Sequence, residues 1–208
     1  APISLIAAPP YILVVNPALP VKTTAELIAR ANQNPGKISF GSSGVGASAH
    51  LTTELLKQVA GLDMVHVPFK GTAPALTALM SGEIQILVDV PGSMMPHVRA
   101  GRIRALGMFS SKRIGRAAEV PTLTEAGGPP LEGSTWAMFL APAGTPRAVV
   151  NRLSAEVARA LAAPDLRERF AALGMEGVGS TPAEAARFLD GEIAKWQRVI
   201  SNAGIKAD

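Results

Sequence analysis

The chain of 208 residues contains no cysteine, and aromatic and charged residues are scarce, at 4% and 17%. Without cysteine it has no disulfide, no thiol chemistry and no cysteine-ligated zinc site. No window of 18 uncharged apolar residues occurs, so the sequence predicts no membrane-spanning helix. The apolar share of 48% is typical of an α/β protein rich in Ala, Val and Leu, and the length allows one large or two small domains.

The excess of basic residues is also small, with a net charge of +4. Six basic residues fall between Arg99 and Arg116, but no nucleic-acid-binding motif accompanies them. We therefore predict that they form a solvated face and that nucleic acid is not a partner. A weakly positive surface would still help to attract a small anion.

A loop of glycine and serine, residues 41–46, is the most informative stretch of the chain. It follows a short strand-like run that ends at Phe40 and precedes a helical pattern through Leu51, Leu55 and Leu56. The first N–H groups of a helix have no partner inside the helix, and the helix dipole is positive there. Glycines let the backbone approach a ligand and serines add donors, so this loop is predicted to bind an anion.

Two phosphate or nucleophile motifs can be excluded at this loop by their spacing. A P-loop needs a lysine followed by Ser or Thr after its last glycine, whereas Ala47 and Ser48 follow Gly46. A nucleophile elbow, G-x-S-x-G, needs a final glycine where Val45 stands. Neither motif is present.

A dinucleotide-binding enzyme remains the alternative class. Gly44, Gly46 and Ala49 match the relaxed pattern G-x-G-x-x-A. The pattern is normally completed by an acidic residue about 20 residues on, at the end of the next strand, where this chain has Lys70. The three histidines are isolated in the sequence and show no metal-ligand spacing, and no close pair of carboxylates suggests acid–base catalysis.

Strand and helix patterns alternate from residue 11 to residue 109, which predicts a parallel sheet with helical crossovers. The run at residues 11–15 is almost entirely β-branched or aliphatic, so we expect a strand buried on both faces of that sheet. Thr23 or Thr24 is predicted to cap the first helix. Ligands bind beyond the carboxyl ends of parallel strands, so three loops should meet at one edge: residues 41–46, 70–74 and 89–93.

The second part of the chain is mostly helical. A short helix is predicted within residues 119–128, and strands at 136–140 and 175–178. Thr145 should cap a long amphipathic helix, and Thr181 with Glu184 forms a capping box for the last helix. The residues expected to face inward are Val149, Val150, Leu153, Val157 and Leu161 in the first of these helices, and Phe188, Ile193, Trp196 and Ile200 in the last. Two short strands cannot bury both their faces, so this region is expected to belong to a second domain.

Several segments together resemble one protein family. They are Ala1-Pro2-Ile3-Ser4-Leu5-Ile6-Ala7, Tyr11-Ile12-Leu13-Val14-Val15-Asn16-Pro17, Gly41-Ser42-Ser43-Gly44-Val45-Gly46 with His50, Val67-Pro68-Phe69-Lys70-Gly71-Thr72-Ala73-Pro74-Ala75, and Phe139-Leu140-Ala141-Pro142-Ala143-Gly144-Thr145-Pro146. The chain resembles, from end to end, the Bug or TctC-like periplasmic solute-binding proteins that serve tripartite tricarboxylate transporters.

The resemblance implies an α/β fold of the type II periplasmic binding protein kind, with two lobes, parallel or mixed sheets and the ligand held between the lobes. Residues 11–131 resemble the second lobe, and residues 1–10 and 132–208 resemble the later part of the first. The family's amino-terminal portion has no counterpart in this chain, so the first lobe is expected to be incomplete. Its exposed apolar surface would then be open to self-association.

The resemblance also implies a binding protein without catalysis, cofactor or metal, whose partners are a small carboxylate and a membrane permease. The lobes are expected to close on the ligand in the periplasm. A remnant that binds nothing is a further alternative. The site residues also have purely structural interpretations. The serine and threonine hydroxyls could cap helices, and His50 could be a structural histidine. Asp89 could cap the next helix or hold a water molecule or an ammonium group. The predicted ligand-binding residues are Ser42, Ser43, Gly44, Val45, Gly46, His50, Gly71, Thr72, Ala73 and Asp89.

Overall fold

A computed structural model of the chain describes residues 1–206, and of Arg116 the backbone alone. The elements are, in chain order, β1 (Pro2–Ala7), β2 (Ile12–Val15), α1 (Thr24–Gln33), β3 (Ser39–Ser42), α2 (Ser48–Ala60), β4 (Val65–Pro68), α3 (Thr72–Ser81), β5 (Ile86–Asp89), α4 (Pro91–Arg99), β6 (Arg104–Met108), a 3-10 turn (Gly115–Ala117), β7 (Ala137–Leu140), α5 (Arg147–Ala162), α6 (Pro164–Ala172) and α7 (Pro182–Ala203).

The chain divides into two compact units. The small unit comprises residues 1–9 and 135–198, and the large unit comprises residues 10–134 and the segment that begins at residue 199. That last segment was expected to go with residues 132–208, of which 207 and 208 lie outside the described part. The assignment of residues 11–131 to a second lobe and of the rest to a first lobe stays a prediction.

The large unit is built on a mixed sheet with the strand order β4-β3-β5-β2-β6. Strand β3 is parallel to β4 and to β5, whereas β2 is antiparallel to both of its neighbours, β5 and β6. The expectation that residues 11–15 form a strand parallel to its neighbours was therefore wrong, whereas the parallel or mixed sheets that the resemblance implied are confirmed. An apolar run shows that a strand is covered on both faces, but it does not show in which direction the strand runs.

Helices cover both faces of this sheet. On one face of strand β2, Leu13 and Val15 pack in a core with residues of α1 and α2. On the other face, Ile12 and Val14 pack in a second core with residues of α3 and α4. All four of these side chains are fully buried. Alternate residues of a strand point to opposite faces, so the near-continuous apolar run serves two separate cores.

The first helix of the large unit begins as expected. Thr23 is its N-cap, and its hydroxyl accepts a hydrogen bond of 3.1 Å from the backbone N–H of Glu26. The short helix expected at residues 119–128 does not form. Thr122 and Glu125 make the reciprocal hydrogen bonds of a capping box, but only turns follow them. The glycines at 127 and 128 end the segment, because backbone φ at Gly127 is +76°.

In the small unit, β1 and β7 form an antiparallel pair, and α5 packs against β1. The strand expected at residues 175–178 is absent from the described chain. Val178 and Gly179 nevertheless donate backbone hydrogen bonds of 2.8 and 3.0 Å to Ile6 and Leu5. The segment thus lies along β1, but it is too irregular to count as a third strand.

The helices of the small unit correct some expectations and confirm others. The capping box at the start of α7 is confirmed, since Thr181 N–H donates to Glu184 at 2.8 Å. Thr145 does not cap α5; its hydroxyl donates to the carbonyl of Pro142, and Pro146 is the N-cap. Several residues expected to face inward are exposed instead, namely Val149, Leu153 and Ile193. No helix within residues 1–206 is long and apolar enough to cross a membrane.

Candidate functional site

Three helices begin at one edge of the large unit's sheet. Strands β4, β3 and β5 are neighbours and run in the same direction, so their carboxyl ends lie together. Helices α3, α2 and α4 start at Thr72, Ser48 and Pro91, directly after those ends. The expected meeting of three loops at one edge is confirmed by this topology, and we call this edge the rim.

The loop between β3 and α2 is folded by its own hydrogen bonds. The hydroxyl of Ser42 lies 2.9 Å from the carbonyl oxygen of Gly44 and accepts a hydrogen bond of 3.2 Å from its N–H. Ala47 N–H donates back to the Gly44 carbonyl at 3.3 Å. Gly44 and Gly46 have backbone φ angles of +148° and +73°. Residues with a Cβ atom rarely adopt such angles, so the shape of this loop requires both glycines.

Not every backbone N–H of this loop is available to a ligand. The Gly44 N–H donates to Ser42, and the Gly46 N–H donates to Nδ1 of His50 at 3.0 Å. By contrast, the N–H groups of Val45, Ser48 and Ala49 have no acceptor among the described residues. The N-cap of α2 is Ala47, which has no side chain that could satisfy them. The donors without an acceptor therefore lie at the loop tip and in the first turn of the helix; Val45 is exposed, Ser48 is partly exposed and Ala49 is buried.

Two histidines lie beneath the loop. His50 on α2 and His66 on β4 stack with ring centroids 3.7 Å apart and an interplanar angle of 10°. Phe40 stacks on His66 from β3, at 4.9 Å. The Nε2 atom of His66 is 2.7 Å from the hydroxyl oxygen of Ser42, and the two share a hydrogen bond. The histidines are isolated in the sequence, but the fold brings these two into contact.

Burial keeps this histidine pair neutral. It lowers the pKa of His66 from 6.5 to about 4, and the charge that His50 would carry if protonated and the charge of Lys57 act in the same direction. Burial also lowers the pKa of His50, against the opposing effect of the Glu54 carboxylate. Glu54 lies 3.8 Å from Nε2 of His50 and forms a 2.7 Å ion pair with Lys57.

The other two loops of the rim are joined to each other by a side-chain hydrogen bond. The Thr72 hydroxyl, at the start of α3, donates to the carboxylate of Asp89 at 2.6 Å. The other oxygen of Asp89 accepts a bond of 2.7 Å from the N–H of Val90. Gly71 donates its N–H to the Ser43 carbonyl at 3.2 Å, which joins the α3 loop to the β3 loop as well. The three loops thus form one hydrogen-bonded assembly.

The predicted site residues fall into two groups by exposure. Ser42 and His50 are buried, at 0% and 4%, with their polar atoms engaged inside the protein. Val45, Gly46 and Ala73 are exposed, and the remaining members are partly exposed, namely Ser43, Gly44, Gly71, Thr72 and Asp89. His66 and Phe40 were missed. The parallel register pairs Phe40 with His66, so correct alignment of β3 with β4 could have brought them together.

Within residues 1–206 no group of three or more His, Asp or Glu side chains could hold a metal ion. The basic residues noted in the sequence are partly used in ion pairs, Arg99 with Glu119 and Arg113 with Glu125. Arg104 instead donates to the carbonyl of Val21 at 2.8 Å.

The sequence is similar to known proteins along almost its whole length. Residues 1–205 match the family model described as tripartite tricarboxylate transporter family receptor. A UPF0065 protein from the tcbD-tcbE intergenic region of Pseudomonas sp. (strain P51) is 39% identical, over 100% of this chain and 62% of that protein. Protein BugT of Bordetella pertussis is 33% identical, over 99% of this chain and 63% of its own length. The chain thus spans less than two thirds of these relatives.

Solved structures agree in fold. Rpa4515 of Rhodopseudomonas palustris, in a structure with adipate, superposes with a TM-score of 0.86 at 36% identity, over 98% of this chain and 68% of that one. MatC (Rpa3494) from the same organism, with bound malate, superposes with a TM-score of 0.83 at 30% identity, over 96% and 69%. The expected α/β fold of a periplasmic binding protein is confirmed. The chain belongs to the tripartite tricarboxylate transporter receptor family.

Proposed function

We propose that this chain is the carboxylate-binding part of an extracytoplasmic receptor, which captures a small organic acid and delivers it to the permease of a tripartite tricarboxylate-type transporter. The observation that carries the proposal is the set of N–H groups at the rim without acceptors, on Val45, Ser48 and Ala49. A carboxylate is the ligand chemistry that such donors and the positive end of a helix dipole favour. The relatives with adipate and with malate support the same class of ligand.

The rim offers a second set of donors next to the first. Thr72 and Ala73 open α3, and their N–H groups have no acceptor among the described residues. The Ser43 side chain is partly exposed, and its hydroxyl can donate as well. We therefore assign the ligand to the loop tip at Val45, to Ser43 and to the first turns of α2 and α3. Ser42, His50, Thr72 and Asp89 hold these donors in place through their side chains.

The Ser42–His66 pair does not fit a nucleophile and its base. Ser42 is fully buried, and its hydroxyl is also bonded to Gly44 within its own loop. A histidine whose pKa is about 4 is a weak base at neutral pH. The Gly46 N–H, which a dinucleotide phosphate would use in the G-x-G-x-x-A pattern, already donates to His50. Binding without catalysis is the function these contacts favour.

A calorimetric screen tests the ligand class. Adipate, malate, aspartate and nicotinate are titrated into the chain, with NAD as the probe for the dinucleotide alternative. We expect at least one acid to bind and NAD to give no heat. Binding of NAD alone would support the enzyme, and no binding of any probe would support a remnant without ligand.

A matched pair of substitutions tests the donors themselves. Ser48 is the first residue of α2 and follows Ala47, whose ψ of 149° suits a residue before proline. Ser48→Pro removes one open N–H with little strain, and Ser48→Ala removes the same hydroxyl but keeps the N–H. We expect Ser48→Pro to bind the acid about tenfold more weakly than Ser48→Ala, as for a hydrogen bond to a charged group. Equal affinities would contradict the assignment.

A further inference from the structure

The histidine pair under the rim makes one specific hydrogen bond at each end of the β3–α2 loop. His50 accepts from the N–H of Gly46, near the loop's end, through Nδ1. His66 bonds the hydroxyl of Ser42, at the loop's start, through Nε2. The two rings come from different elements, α2 and β4, and they stack on each other at 3.7 Å.

We propose that His50 and His66 are positioning residues, which fix the β3–α2 loop from below so that its open N–H groups face the ligand. The inference rests on the proposed function, because positioning matters only if the loop binds a ligand. His50 does not need to touch the ligand, since it is buried and its Nδ1 already accepts from Gly46. His66 is partly buried, and its Nε2 is bonded to Ser42.

The geometry requires a particular state of His50. A nitrogen that accepts a hydrogen bond carries no proton, so His50 must be neutral with its proton on Nε2, which faces the Glu54 carboxylate at 3.8 Å. The charged groups around the pair are Glu54 and Lys57, both on α2. Two protonated rings 3.7 Å apart would repel each other, so the stack also favours neutral histidines.

Hydrogen bonding can be separated from packing with paired variants. Phenylalanine keeps a stacked ring but has no acceptor, whereas asparagine has an oxygen near the place of Nδ1 and glutamine has polar atoms near the place of Nε2. His50→Phe and His66→Phe should therefore release the loop. His50→Asn and His66→Gln should restore its position, although they remove the stacked ring.

Amide hydrogen exchange reads the loop directly. The Gly46 N–H has an acceptor and the Val45 N–H has none, so Gly46 should show a protection factor about fivefold larger, as for one hydrogen bond. In His50→Phe this difference should vanish, and in His50→Asn it should persist. Long-range nitrogen–proton NMR correlations should show unprotonated Nδ1 in His50 at pH 7.

The affinities of the variants for adipate and malate test whether the position of the loop matters for binding. We expect the two Phe variants to lose about fivefold in affinity, the loss of one hydrogen bond, and the Asn and Gln variants to recover most of it. If the Phe variants bind normally and the Asn and Gln variants do not, the pair is only packing and the proposal is overturned. If native protein binds neither acid, the proposed function fails, while the protection of Gly46 still decides whether His50 holds the loop.

Discussion

The two units of this protein differ in how far they bury the apolar faces of their helices. In the large unit, α1 to α4 bury their apolar faces in two cores on either side of the sheet. In the small unit, α5 leaves Val149 and Leu153 exposed, and α6 has no buried residue. The sequence pattern of α5 is nearly as amphipathic as that of α1. Periodicity thus marks an apolar face, but the surrounding elements decide whether that face is covered.

The helix N-termini differ in whether a side chain caps them. Helix α7 of the small unit begins after Thr181, whose hydroxyl accepts from the N–H of Glu184, and the Glu184 carboxylate accepts from the N–H of Thr181. Helices α2 and α3 of the large unit begin after Ala47 and Gly71, which have no capping side chain. The contrast does not follow the units, since α5 and α6 of the small unit also lack a side-chain cap and α1 of the large unit is capped by Thr23. What distinguishes α2 and α3 is that their uncapped ends lie together at the rim, where a ligand can use the open donors.

The largest expected effect is on the free energy of unfolding, when a buried leucine of the large unit is shortened and compared with an exposed leucine of the small unit. Leu56 on α2 is 0% exposed and Leu153 on α5 is 43% exposed. We expect Leu56→Ala to lower the free energy of unfolding by about 3 kcal/mol, because it leaves a cavity in a packed core. Leu153→Ala should cost less than about 1 kcal/mol, since surface substitutions rarely cost more. Urea denaturation of both variants measures this, and equal losses would mean that α5 is covered in solution.

An effect of intermediate size is expected on the stability of the folded chain when the pH is lowered. The pKa of His66 falls from its ordinary value of 6.5 to about 4 in the folded chain, so the unfolded chain binds a proton first as the pH drops. The stability that the neutral ring contributes is present above pH 6.5 and is lost progressively towards pH 4. The pKa of His50 is lowered too, which adds to the loss.

Melting temperatures from pH 7.5 to pH 4.5 check this expectation, with His66→Gln as the matched control. The variant should show a flatter decline than the native chain, because one titrating group is gone. The small unit contains no histidine, since the chain's three histidines all lie between residues 50 and 97. Parallel curves for the native chain and the variant would mean that His66 does not titrate in the folded state as inferred.

The smallest effect concerns self-association. Phe139 and Leu140 on β7 are both more than half exposed, so the small unit is the expected contact between copies of the chain. If the chain forms dimers, Phe139→Glu should shift them towards monomer in light scattering. Val59→Glu, at a similarly exposed position on α2 of the large unit, should leave the mass unchanged. A chain that is monomeric at all concentrations would contradict the prediction.

Much of the site's framework could be predicted from local patterns. The glycines of the β3–α2 loop, the strand before it and the helix after it were predicted from residues 37–56 alone. Their chemistry is local, since a strand end, a loop and a helix start are adjacent in the sequence. The topology confirmed that the two other loops join this one, because parallel neighbouring strands end at the same edge.

The partners of the site's side chains could not be predicted in this way. Ser42 was expected at the ligand, yet its hydroxyl is buried against His66, 24 residues further along the chain. Thr72 was expected at the ligand as well, and its hydroxyl donates to Asp89. Such pairs depend on strand order and register, and neither is encoded in the spacing of either residue by itself.

The sequence by itself determined the α/β class, the position of the glycine loop and the family, because these depend on composition, periodicity and short motifs. Only the tertiary structure decided that β2 runs against its neighbours, that two distant histidines stack under the loop, and which N–H groups stay open. The physical reason is that a hydrogen bond or a ring stack joins atoms within a few ångströms, and only the folded chain brings residues from separate strands and helices that close together.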